Sequence, residues 1–371
     1  MEYIQLAGTN GKGSTAQYLA TILSQSGTCG LFTSPHIFSP LERFRINGTM
    51  ISQPLYDRYM REEKTDPAEH YFGPWVRTAL RWFADEAVDY AVIETGLGGR
   101  IDQTNVVDSG MQIITPISLD HTQVLGDTIR KIAREKCGII KYGSNVVSHS
   151  QPKDALDVIK QTCERLSCTL TVLDEAAIRL KHSDAQQQVF DFTFGDLLIR
   201  DAVLHTAAAI QVQNACVAAT AAYLLGMPAD LITQALAETY IPAREEYTNG
   251  MMIDAAHNAA AMTELSKTVK KLFPKKHITV LTAIMEDKDI RAIADIIADF
   301  GDTVICTRAD RDRGLDSMEY VKYFDNATAM DNPAYAFEYA HEINDKKNGI
   351  LVVCGSFYLL SYVLDKSREN L

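Results

Sequence analysis

Nowhere do the 371 residues hold the run of 18 or more apolar side chains that a membrane-spanning helix needs. The opening Met-Glu-Tyr-Ile-Gln also lacks the basic and long apolar regions of a signal peptide. Cysteine is scarce and unpatterned: seven residues, an odd number with no CxxC pair, fit neither a disulfide framework nor a zinc site. Positive charge is the minority, 36 Lys plus Arg against 48 Asp plus Glu for a net −12, so no overall field draws nucleic acid or anionic lipid. Repeats of fixed period, charge blocks and long Pro/Ser-rich tracts are missing too. The expectation is a cytoplasmic protein, with no nucleic-acid or membrane partner, in which any polyanion is held by local chemistry.

What is present is ordinary globular material, 46% hydrophobic and 23% charged. The chain is longer than one domain of about 100 to 200 residues, so two domains are expected. Short apolar stretches alternate with amphipathic ones: Tyr3 to Ala7, a helix from Ser14 to Ser26 closed by Gly27 as its C′ residue, Leu31 to Thr33, Tyr90 to Ile93 and Ile113 to Ile117. That alternation predicts a parallel α/β sheet. Hairpin strands are expected within Gln187 to Leu204, then an alanine-rich helix from Gln211 to Leu225 and a hinge at Tyr240 to Arg244. Strand-helix alternation then restarts at Met251 to Ile253, Ile278 to Leu281, Thr303 to Cys306 and Ile350 to Cys354. The domains expected are therefore 1–242 and 243–371.

The first strand runs into Gly8-Thr9-Asn10-Gly11-Lys12-Gly13-Ser14-Thr15 and directly into a helix, the order a phosphate-binding loop requires. The glycines let backbone N–H groups face phosphate oxygens, the helix N-terminus adds partial positive charge, and Lys12 can reach the terminal phosphates. Gly13 separates Lys12 from the hydroxyls, a departure from GxxxxGK[ST]; Ser14 or Thr15 can then serve magnesium. Glu94 ends a buried strand, where ligands of open α/β sheets bind, and an acid there suits a metal. Asp120-His121-Thr122 offers a second-metal ligand at the same edge. Lys136 lies against an apolar turn; it either pairs with Glu135 or another acid, or is a buried amine able to add carbon dioxide as a carbamate.

Taken in order, several motifs resemble the folylpolyglutamate synthase/dihydrofolate synthase family of Mur ligases. They are Ala7 to Thr15, Thr33-Ser34-Pro35-His36, Glu42 to Gly48, Glu94 to Asn105, Leu119 to Thr122 and Glu135 to Ile139. In the second half, Gln211 with Asn214-Ala215, Pro242 to Glu245, Asp254 to Asn258, Asp287-Lys288-Asp289 and Gly355 to Leu359 continue the match. The resemblance implies a P-loop ATPase domain with a parallel central sheet and a smaller Rossmann-like C-terminal domain, closing over substrates. It implies an ATP-dependent ligase, acting as a monomer, that joins L-glutamate to a folate or to dihydropteroate through an acyl phosphate. By that analogy Lys12 holds ATP phosphates, Ser14 with Glu94 holds one Mg²⁺, and Ser34, Glu94 and His121 hold a second beside a carbamylated Lys136. Asn214 would meet adenine, Arg244 the phosphates and Asp254 the ribose, while His257, Lys288, Ser356 and Tyr358 would lie near the transferred phosphoryl group or the incoming amino acid.

The match departs in places. Ala243 and Ala255 stand where the family usually has glycine, Ala259 follows His-Asn in place of proline, and Cys354 precedes Gly-Ser. Family members carry a leader ahead of the phosphate loop, whereas Gly8 is here almost at the start. The expectation from this is either initiation at an internal methionine or a Mur-like ligase for a non-folate carboxylate. A nucleotide-binding switch without ligation is the reading from a different class; it gives no reason for Lys136, His257 and Ser356.

Overall fold

The computed structural model describes residues 1–63, 72–310 and 312–369. Two compact units emerge. The first comprises Met1–His182, Val189–Leu204 and Gln211–Tyr240; the second comprises Ser183–Gln188, His205–Ile210 and the chain from Ile241 onward. The two short segments go with the second unit because their polar groups are satisfied there. The Gln188 amide donates to the carbonyls of Thr206 (3.2 Å) and Ala207 (3.0 Å), and the Thr206 hydroxyl donates to the Arg244 carbonyl (2.9 Å). Ala207 is itself part of the second unit's apolar core.

The first unit is built on an eight-stranded sheet. Its order is Thr49–Met50, Phe44–Ile46, Cys29–Phe32, Tyr90–Glu94, Glu2–Ala7, Met111–Ile114, Asn145–Ser148, Thr169–Val172. The first two strands pair antiparallel and the remainder run parallel. The strand Glu2–Ala7 is central, with Tyr90–Glu94 on one side and Met111–Ile114 on the other. The chain first builds the strands on the Tyr90–Glu94 side and then crosses to Met111–Ile114 on the other, so the crevice beyond the carboxyl end of Glu2–Ala7 is where such sheets bind ligands. Pairing of Leu6 with Glu94 brings that acid to the same end.

Locally the chain departs from the expected bounds for identifiable reasons. The first helix is Lys12–Leu23, with left-handed Gly11 as its N-cap and Ser24 as its C-cap, so Gly27 is not its C′ residue. The strand expected to reach Ile117 stops at Ile114. Pro116 has no N–H for the ladder, and its carbonyl instead accepts the amides of Thr9 (2.9 Å) and Asn10 (3.3 Å). The second strand is Cys29–Phe32 rather than Leu31 to Thr33. Within Gln187 to Leu204 lie Gln188–Phe194 and Leu197–Leu204, joined in a three-stranded sheet by Ile178–Ser183, which the pattern had not announced.

Helix Ile210–Leu224 has buried residues on every side, from Gln211 through Ala222. Its alanines let neighbouring backbones come close while adding no side-chain entropy cost. A helix apolar all round belongs inside a domain, so the two amides it carries, Gln211 and Asn214, have to be satisfied internally.

The second unit has a six-stranded sheet ordered Glu246–Thr248, Met251–Ile253, Ile350–Cys354, Ile278–Thr282, Thr303–Cys306, Ala327–Ala329. Only the first pairs antiparallel. Helix Ile290–Phe300 shows how its core forms: Ile293, Ala294, Ile297 and Phe300 fall on one face and are buried, and Asp289 caps the start by accepting the Ala292 amide at 3.2 Å. Asn258 does the same for helix Ala259–Leu272, accepting the Ala261 amide at 3.0 Å.

Candidate active site

In the first unit the phosphate loop, Glu94, Ser34, Lys136 and helix Ile210–Leu224 are tied together by hydrogen bonds. Lys12 Nζ donates to the carbonyls of Gly8 and Thr9, each at 3.2 Å, and lies 4.0 Å from Glu94 Oε1. Glu94 is 3% exposed, and its Oε2 accepts the Ser34 amide at 2.9 Å. Gly13 makes that approach possible, since a Cβ there would stand 3.2 Å from Glu94 Oε2. A buried carboxylate thus sits against the N-terminal end of a helix, where partial positive charge favours it.

The hydroxyls of the loop are distinguished by their partners. Thr15 Oγ1 donates to Asn214 Oδ1 (3.4 Å), whereas Ser14 Oγ accepts from Gln211 Nε2 (3.2 Å). Asn214 Nδ2 in turn donates to Gln211 Oε1 at 3.0 Å. Both hydroxyls that the sequence offered for magnesium are buried and bonded to amides of helix Ile210–Leu224. The arrangement also shows the Asn214 amide engaged beneath the phosphate loop. Gln211, to which sequence reasoning gave no role, orients the Ser14 hydroxyl; its spacing of three from Asn214 on one helix was the only available signal.

Gly11 has φ 83, and a Cβ there would meet Asn214 Oδ1 at 2.7 Å. Asn214 cannot yield freely, being 2% exposed and bonded as above. Gly11→Ala is therefore expected to cost about 1–3 kcal/mol from backbone strain and crowding. Chemical denaturation would measure the loss, and an ATP titration should show weakened binding in the same variant.

Lys136 is 4% exposed and donates to the Gly8 carbonyl at 2.6 Å, the same carbonyl that Lys12 reaches. Burial, followed by the nearby charge of Lys12, pushes its amine down to about 7, against weaker opposing effects of Asp120 and Asp102. Glu135, the acid adjacent in sequence, is instead occupied by Arg100, at 3.0 Å. His121 is a left-handed residue (φ 48) at the N-cap of the short helix Thr122–Leu125, with Nε2 3.9 Å from Asp120 Oδ2.

The second unit holds the other expected residues. Asp254 accepts the amides of Glu245 (2.8 Å) and Ala256 (2.7 Å), and the Arg244 guanidinium lies over the Phe357 ring at 5.5 Å. His257 Nδ1 is 2.8 Å from the Ala255 carbonyl, which can only accept, so Nδ1 is the donor in that bond. Lys288 has a 7% exposed side chain, 3.9 Å from Asp287, while Ser356 is buried and accepts the Tyr358 amide at 3.2 Å. Tyr358 is 51% exposed. Ala243, standing at a usual glycine position, takes the glycine-like φ of 54 without exposure.

These oxygen donors fit a hard cation. Mg²⁺ is held by one or two carboxylates with phosphates and water, which Glu94 and Ser14 satisfy once a nucleotide is present. Among the described residues no group of three or more His, Cys, Asp or Glu gathers, so no all-protein cage for a softer metal is built.

The chain is similar to known proteins in both sequence and structure. Residues 6–222 match the Mur ligase middle domain, and residues 241–357 match the Mur ligase, glutamate ligase domain. The dihydrofolate synthase/folylpolyglutamate synthase of Bacillus subtilis is 30% identical over 382 residues, covering 96% of this chain and 88% of that protein. The folylpolyglutamate synthase of Mycobacterium tuberculosis, solved with ADP and AMPPCP, superposes with a TM-score of 0.91 at 28% identity, over 97% of this chain and 89% of that one. A bifunctional folylpolyglutamate synthase/dihydrofolate synthase solved with Mn, AMPPNP and L-glutamate gives 0.87 at 25% identity, over 99% and 89%.

Proposed function

This chain belongs to the Mur ligases, in the dihydrofolate synthase/folylpolyglutamate synthase family, and from that premise we propose how its residues divide the work. It is an ATP-dependent ligase that adds L-glutamate to a folate or to dihydropteroate. The observation that carries the residue assignment is the buried Glu94 set between Lys12 and the Ser34 amide at the mouth of the phosphate loop.

A carboxylate resists attack by an amine, so the γ-phosphoryl group first passes to the acyl substrate's carboxylate, releasing ADP and leaving an acyl phosphate. The glutamate amine then attacks the acyl carbon, expels phosphate and loses a proton. Backbone amides of Gly8 to Thr15 cradle the phosphates. Lys12 exchanges its contacts with the Gly8 and Thr9 carbonyls for phosphate oxygens, offsetting the charge that gathers between two anions. Mg²⁺, when bound by Ser14 and Glu94 and at a second position by Ser34, Glu94 and His121, supplies further neutralisation of that charge. Lys136 as a carbamate would belong to the second position. Asn214, Arg244 and Asp254 serve the nucleotide, and Lys288, Ser356 and Tyr358 the incoming amino acid. His257, oriented by the bond from its Nδ1 to the Ala255 carbonyl, serves proton transfer from the amine.

The division into an ATP-binding domain, 1–242, and a glutamate-ligase domain, 243–371, is part of this reading. So is a cytoplasmic monomer, a choice supported by seven unpaired thiols. No described helix is long and apolar enough to cross a membrane.

Mass spectrometry tests the whole. Incubation with Mg-ATP, L-glutamate and either dihydropteroate or a reduced folate should yield a product heavier by one glutamyl residue, with one ADP per product. ATP bound but neither substrate extended would defeat the folate assignment and direct attention to other carboxylates.

A further inference from the structure

Arg244 sits between two residues in left-handed backbone, Ala243 (φ 54) and Glu245 (φ 49). Neither is glycine, and such conformations are strained for L side chains and persist only where the surroundings enforce them. Here the enforcement is visible. The Ala255 amide donates to the Ala243 carbonyl (3.0 Å), the Glu245 amide to Asp254 Oδ2 (2.8 Å), the Ala243 amide to Glu246 Oε2 (3.0 Å), and the Thr206 hydroxyl to the Arg244 carbonyl (2.9 Å). Glu245 adds something backbone bonds do not require: a carboxyl side chain in a residue only 3% exposed.

We propose that Glu245 is a positioning residue for the nucleotide step, its buried side chain against Asp254 and Thr268 holding the strained turn that presents Arg244. The proposal rests on the reading that Arg244 and Asp254 serve ATP.

The side chain's surroundings select its protonation state. Asp254 faces it from the end of strand Met251–Ile253, and Thr268 and Glu264 face it from helix Ala259–Leu272. Burial pushes the Asp254 carboxyl up as well, but Arg244 and the two backbone amides that it accepts favour its charged form. Glu245 has less support: Thr268 hydrogen-bonds its carboxyl and favours the charged form, but its Oε2 lacks a hydrogen-bond partner. Two buried carboxylates side by side cannot both ionise cheaply, and the one with two amide donors and an arginine keeps the charge. Burial first, then the charge of Asp254, hold the Glu245 carboxyl well above its ordinary range. Neutral, it packs the turn; charged, it would push against Asp254 and loosen it. The site therefore weakens for ATP as pH rises.

The test compares Glu245→Ala and Glu245→Gln with the full-length wild type, following the KM for ATP from about pH 6 to about pH 9. Glu245→Ala should raise that KM by about ten-fold with kcat within about two-fold, and quicken amide exchange across residues 243–256. Glu245→Gln, neutral at every pH, should restore the wild-type KM near neutrality and abolish the alkaline rise. A folded Glu245→Ala with wild-type KM and exchange overturns the proposal, as does a Glu245→Gln that keeps the wild-type pH profile. If the alanine variant does not fold, the glutamine profile decides alone. Arg244→Ala separates the two readings: an unchanged KM for ATP there would remove the nucleotide role of Arg244, while the exchange data would still decide whether Glu245 holds the turn.

Discussion

Glu94→Gln is expected to lower kcat by at least about 10³ while leaving the fold intact. The substitution keeps shape and keeps an oxygen to accept the Ser34 amide, now 2.9 Å from Oε2, so the loop after strand Cys29–Phe32 stays anchored. What it removes is a full negative charge in a residue 3% exposed, the carboxylate proposed to serve a cation and set 4.0 Å from Lys12. Without it, Mg²⁺ loses its protein anion, and Lys12 loses the partner that draws it toward the loop's mouth. Circular dichroism should be unchanged and product formation should fall to background. Near-normal ligation by the variant would sink the metal assignment.

Lys136→Met should lose ligation by about 10³ and yet gain stability at neutral pH. The sign follows from linkage. The amine falls from its ordinary 10.5 to about 7 in the folded chain, so the stability it contributes is present above the unfolded value and is lost as pH falls through the folded one. From about pH 10 down to about pH 7 the wild type pays progressively for keeping this group unprotonated, and a methionine of similar length does not. A melting temperature higher by at least about 2–4 °C at pH 7 is expected for the variant. The same shift governs carbon dioxide addition, which needs the neutral amine: labelled bicarbonate should give a carbamate carbon resonance that grows as pH passes upward through about 7. Absence of that resonance in the wild type at alkaline pH would leave Lys136 a plain buried amine on the Gly8 carbonyl.

The phosphate loop was legible because everything that defines it is contiguous: a strand, three glycines, a lysine and a helix within Tyr3 to Leu23. Glu94 was legible because it ends an apolar strand. The partners of these groups were not, since they are set by pairings across the chain. Lys136 meets Gly8 over a separation of 128 residues, and Gln211 meets Ser14 over 197. No periodicity reports such contacts. Helix Ile210–Leu224 was visible through its alanines, but a helix buried all round has no polar face to reveal its inward amides. The buried Glu245 was quoted within the motif Pro242 to Glu245 without a role, because a glutamate in a turn reads as a solvated one until its burial is known.

The route of the chain between the units has a consequence for its synthesis. It passes from one unit to the other after residues 182, 188, 204, 210 and 240. A ribosome that has added Tyr240 has made every residue of the first unit, but the apolar cluster to which Ala207 belongs is still incomplete, lacking among others Val352 on a strand made more than a hundred residues later. Two segments must therefore wait on the nascent chain, attached at both ends to a finished unit, until the strand Ile350–Cys354 leaves the tunnel. A fragment beginning at Ile241 would be made without them, and cutting this gene between its two halves would not yield two self-sufficient proteins.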